Sequence, residues 1–299
     1  MALKKLDALT EIAKQKETRR MVVAAAADAH VLAAVKEAMD SDIVSPVLIG
    51  DAEKIKSVVE EIDMDAAKIE IVHEPDDKKA CQRAVKLIRE GKAEVLMKGL
   101  VATAVILKAV LDKEYGLRKG STLSHFALFE SPYYHKLLGV TDAAMNVAPE
   151  FKDKVAIVNN AVEAMRGIGV KTPKVAILGP VETVNPKIES TIHASMLTLM
   201  NNRNQIKNCV IDGPFAVDNT VSKAACEQKG IVSEVGGDAD ILVAPELNAA
   251  NILYKTLAFL GGATSAAVIM GAKAPIVLTS RADTERSKLL SIAFAAAMH

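Results

Sequence analysis

Tryptophan is missing from this 299-residue chain, and aromatic residues make up only 3% of it. Half of the residues are nevertheless hydrophobic, so any core is built from Ala, Val, Ile, Leu and Met. Net charge is missing too: Lys plus Arg number 37, and Asp plus Glu number 37. That balance excludes a chain made for general attraction to nucleic acid or to an anionic membrane. An anion handled here must be held by local groups. Cysteine is scarce. Cys81, Cys209 and Cys226 are odd in number and lack CxxC spacing, which excludes a disulfide framework and a zinc site and points to a reducing, cytoplasmic setting. A long apolar run is also lacking. Ala258 to Met270 is broken by Gly261, Gly262, Thr264 and Ser265 and falls short of the ~20 residues of a spanning helix. The charged N-terminal segment reads as an amphipathic surface helix, not as a signal peptide.

Several nucleotide and hydrolase signatures are missing as well. There is no GxxxxGK[ST] phosphate loop and no GxGxxG; Gly167 and Gly169 sit at a helix exit. His73-Glu74 does not continue to HExxH, and no GxSxG elbow occurs. His125 reads as a half-buried structural residue, with a catalytic role as the alternative, and His193 as packing.

What is present is alternation. Short aliphatic runs such as Met21–Ala24, Pro46–Gly50, Ile69–Val72 and Val95–Met97 alternate with helical patterns. Asp51 and Asp76 or Asp77 stand at the N-cap positions. Such alternation predicts an α/β fold with parallel strands and right-handed crossovers. Thr122–Phe129 and Lys136–Val140 then read as an antiparallel excursion or as the arm between two lobes, before a second α/β series from Lys174 onward. Two lobes are expected: residues 1–145 with 272–299, and residues 146–271. A last helix begins near Asp283.

Ligands of open α/β sheets gather at the C-terminal ends of strands. The polar residues expected there are Lys98-Gly99, Thr141-Asp142, Gly179-Pro180, Asp212-Gly213-Pro214 and Ser280-Arg281. Two readings fit Ser280-Arg281: a helix cap beside a solvated guanidinium, or a donor pair for a phosphate or a developing oxyanion. Lys98 either reaches a phosphate or points to water. Thr103 and Lys108 are five apart and share no helix face. Asn248, Asn251 and Lys255 share one, as a solvated stripe or as a ligand contact.

The stretches Lys98-Gly-Leu-Val-Ala-Thr103, Thr141-Asp-Ala-Ala-Met-Asn146, Asp212-Gly-Pro-Phe-Ala-Val-Asp218, Gly237-Asp-Ala-Asp-Ile-Leu-Val-Ala-Pro245, Asn248-Ala-Ala-Asn-Ile-Leu-Tyr-Lys255 and Pro275-Ile-Val-Leu-Thr-Ser-Arg281 resemble, in order, the phosphate acetyltransferase and butyryltransferase family. The chain is most like its butyryltransferases. The resemblance implies a two-lobed fold like that of the isocitrate and isopropylmalate dehydrogenases, with a cleft between the lobes. It also implies a homodimer or higher homo-oligomer, no metal, and no cofactor beyond coenzyme A and phosphate as substrates. The implied reaction moves a short acyl group, butyryl first, between coenzyme A and phosphate without a covalent acyl-enzyme. Carried over by motif, Arg281 holds phosphate, and Ser280 binds the oxyanion or phosphate. Lys98, Gly99, Thr103, Lys108, Asp142, Asn248, Asn251 and Lys255 contact substrates. Lys108 stands where the acetyltransferases carry an Arg. Their carboxylate base, six residues after the Arg, is here Ser287, so the base falls to Asp283, with Glu285 as an alternative. Two other functions fit the resemblance: an acyl-carrier-protein:phosphate transacylase and a non-catalytic acyl-CoA-sensing module.

Overall fold

The computed structural model describes residues 3–119, 122–279 and 283–298. In chain order its elements begin with α1 (Asp7–Lys14), β1 (Arg19–Ala24), α2 (Ala29–Asp40), β2 (Val44–Gly50), α3 (Ala52–Glu61), β3 (Glu70–His73), α4 (Asp77–Arg89), β4 (Val95–Lys98) and α5 (Thr103–Val110). Next come β5 (Ser124–Glu130), β6 (Leu138–Thr141), α6 (Phe151–Gly167), β7 (Lys174–Leu178), α7 (Glu189–Asn202), β8 (Val210–Phe215), α8 (Val217–Val221), α9 (Lys223–Gln228), β9 (Ile241–Val243) and α10 (Leu247–Phe259). The chain closes with β10 (Thr264–Met270), β11 (Ile276–Val277) and α11 (Glu285–Ala297). The α/β class expected from the alternation of patterns is the one observed.

The chain divides into two compact units. One holds residues 7–121 and 266–299, the other residues 1–6 and 122–265. The sequence reading draws these limits at 145/146 and 271/272. The difference at the first limit has a physical reason: β5 pairs antiparallel with β6, and β6 pairs parallel with β9, so residues 122–141 belong with the strands that follow them.

In the first unit the strand order is β3-β2-β1-β4-β11-β10. All pairs are parallel except β10 with β11. Met21, Val22, Val23 and Ala24 are fully buried, as expected for a parallel strand covered on both faces. Asp28, Asp51 and Asp76 cap α2, α3 and α4 by accepting backbone N–H bonds. Thr284 caps α11. That last helix is buried along most of its length, from Leu290 through Ala297, which its small residues permit. In the second unit the order is β5-β6-β9-β7-β8, again parallel apart from β5 with β6. Among the described residues, no helix is long and apolar enough to cross a membrane.

Candidate active site

Three neighbouring parallel strands of the first unit, β1, β4 and β11, end together. After β1 the chain turns through Ala25, which has a positive φ of 54°, and reaches Asp28, whose Oδ1 accepts from Val31 N at 3.0 Å to start α2. After β4, Gly99 N donates to Ala24 O at 2.8 Å and Leu100 N to Ala25 O at 2.7 Å. These bonds pin the exit of β4 against that of β1. Lys98 Nζ donates to Gly99 O and Val101 O at 3.0 and 3.1 Å, so the ammonium stays over this turn. After β11 comes Thr279.

Asp28, His30, Lys98, Gly99, Thr279 and Lys288 line a cavity of about 300 Å³ at these strand ends. Lys288 is only 4% exposed. Its Nζ donates to Asp283 O at 2.5 Å, which ties α11 to the segment preceding it. His30 Nδ1 lies 3.6 Å from Glu285 Oε1, both side chains being well exposed. Ser287 donates its N–H to the Thr284 cap and is thereby a first-turn residue of α11. Ser280 and Arg281, which directly follow Thr279, lie outside the described residues. Asp283 is half-buried, with its carbonyl on Lys288.

The remaining expected residues divide into two groups. Thr103 and Lys108 are exposed on α5, at its first residue and in its last turn, and do not line the cavity. Asp142, Asn248, Asn251 and Lys255 belong to the second unit. Asp142 is buried. Its Oδ1 accepts from the backbone of His125, Ala144 and Met145, and its Oδ2 from Asn146. Both oxygens are thus engaged by the turn after β6. Asn251 donates to Ala143 O of that turn at 3.1 Å. Asn248 and Asn251 line a second cavity, of about 400 Å³, with Ala143, Ala144, Leu247 and Ile252. Lys255 leans away over the Tyr254 and Phe259 rings, at 5.2 and 5.5 Å.

Asp28, His30, Thr279 and Lys288 were not found from the sequence. Asp28 carries an N-cap signal; a lone Lys inside a helical pattern reads as solvated, and so Lys288 gave none. His193, which reads as packing, lies against the Phe151 ring at 5.3 Å, and its Nδ1 also meets buried Lys154 Nζ at 2.9 Å. The pair lines a third cavity, of about 470 Å³, with Glu189, Ser190 and Glu246. Burial lowers the Lys154 pKa, opposed by Glu189 and Glu246.

None of the cysteines is suited to carry an acyl group. Burial and the nearby Asp77 push the Cys81 thiol up to about 11, and burial does the same to Cys209. Cys226 is raised by burial and by Asp218, and its thiol donates to Asn219 O. The thiolate is the nucleophilic form, and it is suppressed at all three. Among the described residues, no group of three or more His, Cys, Asp or Glu side chains is arranged to hold a metal ion.

The family model for phosphate acetyl/butaryl transferases matches residues 5–85 and 78–296. A phosphate butyryltransferase from Clostridium beijerinckii is 46% identical over 98% of this chain and 97% of its own. A phosphate acetyltransferase from Thermotoga maritima is 43% identical over 97% of this chain and 98% of its own. Among solved structures, a branched-chain phosphotransacylase from Enterococcus faecalis superposes with a TM-score of 0.83 at 33% identity, covering 94% of this chain and 99% of that one. Matched along nearly its whole length, the chain belongs to the phosphate acetyl/butaryl transferase family.

Proposed function

We propose that this chain is an acyltransferase that moves a short acyl group, with butyryl preferred, between coenzyme A and inorganic phosphate. The observation carrying the reaction class is the near full-length match to phosphate butyryl- and acetyltransferases. The acyl preference rests on the higher identity to the butyryl enzyme, 46% against 43%.

In this reading a phosphate oxygen attacks the thioester carbonyl carbon. A C–O bond forms, the carbonyl oxygen becomes an oxyanion, and collapse breaks the C–S bond so that thiolate leaves with the electron pair. In the reverse direction the thiolate attacks the acyl phosphate. Both substrates are anionic, so the site needs cations and preorganised donors. Arg281 offers a planar fork for phosphate, and Ser280 donates to the oxyanion. Lys98 adds charge at the exit of β4, while Gly99 lets the backbone pass close to β1. Asp283 exchanges the thiol proton. By motif, Thr103, Lys108, Asn248, Asn251 and Lys255 are each assigned to substrate contact; Asp142 serves by holding the turn that Asn251 grips. Suppressed thiolates at all three cysteines favour direct transfer over a cysteinyl acyl-enzyme.

A cytoplasmic homo-oligomer completes the proposal. Ile252, Phe259 and Leu260 at α10 expose 66%, 68% and 85% of their surface, which is costly for a monomer in water. Sedimentation at micromolar concentration should give at least a dimer.

The test of the reaction is phosphate-dependent release of coenzyme A from butyryl-CoA, with acetyl-CoA and no-phosphate controls. Release that requires phosphate and is faster with butyryl-CoA is expected. Binding of acyl-CoA without release would sink the enzymatic reading in favour of a sensing module. Turnover only with carrier-protein thioesters would replace the substrate.

A further inference from the structure

We infer that Lys288, a residue with no assigned role, binds a phosphate group of substrate at the strand-end cavity of the first unit. The inference rests on the acyl-transfer reading and deepens it.

Lys288 lines the cavity of about 300 Å³ beside Lys98, Gly99 and Thr279, and is 4% exposed. Among the described residues, its ammonium makes one hydrogen bond, to the carbonyl oxygen of Asp283. No carboxylate among the described residues lies within 4.0 Å of its Nζ, although several surface lysines have one within that distance. Burying an ammonium is costly unless an opposite charge and full hydrogen bonding repay it. One carbonyl satisfies one of its three donors and supplies no charge. A methionine would fill the same volume of a helix interior at no such cost. Two N–H donors of a cation therefore remain for whatever enters the cavity; Lys98 of the same lining adds a second positive charge, against the single carboxylate among the described lining residues, Asp28, whose Oδ1 is engaged by Val31 N. A group with several anionic oxygens, which is what a phosphate presents, answers both. It can come from inorganic phosphate or acyl phosphate, or from the phosphates of coenzyme A.

Three variants separate charge from packing: Lys288→Gln keeps a donor for the Asp283 carbonyl and loses the charge, Lys288→Arg keeps the charge, and Lys288→Met loses both donor and charge. Initial rates of phosphate-dependent coenzyme A release give KM for phosphate and for butyryl-CoA, and thermal unfolding reports on folding. The expected result is that Lys288→Gln raises one KM by tenfold or more and leaves the other within about twofold. Lys288→Arg restores most of that loss, and melting temperatures stay close to wild type. A rise in KM for phosphate assigns the contact to inorganic phosphate; a rise in KM for butyryl-CoA assigns it to the coenzyme. If wild type is active and Lys288→Gln leaves both KM values unchanged, or lowers only the melting temperature, Lys288 is a structural clamp and the inference is overturned. An inactive wild type would instead remove the acyl-transfer reading itself.

Discussion

Gly99 stands so close to Ala25 that a β-carbon on it would meet the Ala25 carbonyl oxygen at 2.1 Å and the carbonyl carbon at 2.7 Å. These are backbone atoms of β1's exit turn, held in place by Leu100 N on Ala25 O, and they cannot swing aside as a side chain can. Gly99→Ala must therefore push the two strand exits apart. Overpacking of this kind costs about 1–3 kcal/mol. Chemical denaturation should show that loss, and activity should fall further than stability alone explains, because Lys98 moves with its neighbour. A Gly99→Ala protein of wild-type stability and activity would show that the close approach of β4 to β1 has no role in the site.

Much of this arrangement was legible in the residues. The aliphatic run before Lys98-Gly99 marks it as a strand exit, and Asp51, with Asp76 or Asp77, marks a cap because a short side-chain acceptor precedes each helical pattern. The antiparallel pairing of β5 with β6 is one of the two readings that their sequence allows. Other features were hidden for physical reasons. Lys288 sits in a helix whose small residues let it be buried on nearly every side, so no amphipathic stripe marks which face is inside. Asp142 has the composition of a ligand-binding motif, yet its oxygens are taken by three backbone amides of the turn it starts and by that of His125 on β5. Sequence spacing shows that a carboxylate is near a strand end but not which donors reach it first. Lys255, on one face with Asn248 and Asn251, departs from them because two rings attract its ammonium.

The guanidinium of Arg281 is assigned to phosphate by motif, and its removal is the sharpest check of that assignment. Arg281→Ala should reduce kcat/KM for phosphate-dependent coenzyme A release by at least 100-fold, about 2.7 kcal/mol of transition-state stabilisation, with the circular dichroism spectrum unchanged. Arg281→Lys should recover only part, since a point charge replaces a planar fork. Full activity in the alanine variant would move the phosphate site elsewhere.

Acid stability should depend on a cluster in the second unit. Asp238 receives His135 Nε2 at 2.8 Å and Lys136 Nζ at 3.0 Å on one oxygen, and Lys174 Nζ at 2.6 Å on the other; Lys136 also reaches Asp240 at 2.6 Å. Burial alone would raise the Asp238 carboxyl, but hydrogen bonds from Lys174, Lys136 and His135 outweigh it and hold the pKa well below the usual carboxylate range. A depressed folded-state pKa gives stability that is present above the unfolded value of about 3.9 and is lost as pH falls through the folded one. Asp238→Asn should therefore destabilise the protein by about 1–3 kcal/mol at pH 7, while its melting temperature falls less steeply than wild type below about pH 4. Parallel acid limbs for the two proteins would show that Asp238 is not the group responsible.

The Lys154–His193 contact sets a second pH window, higher than the first. Burial lowers the His193 pKa, the charge of Lys154 lowers it further, and Glu189 opposes both. The unfolded chain, with an ordinary imidazole near 6.5, then binds more protons than the folded one just below that pH. Stability is complete above about pH 6.5 and declines as the solution is acidified through the lowered folded value. His193→Asn keeps an acceptor for the Lys154 ammonium at 2.9 Å range but cannot be protonated. Denaturation midpoints measured from pH 7.5 down to pH 5 should fall for wild type and fall less for this variant, with the two curves closest at the alkaline end. The opposite order, a variant more acid-sensitive than wild type, would mean that the protonated imidazole is welcome in the fold. In that case the Lys154 proton, not the His193 proton, would be the one that burial displaces.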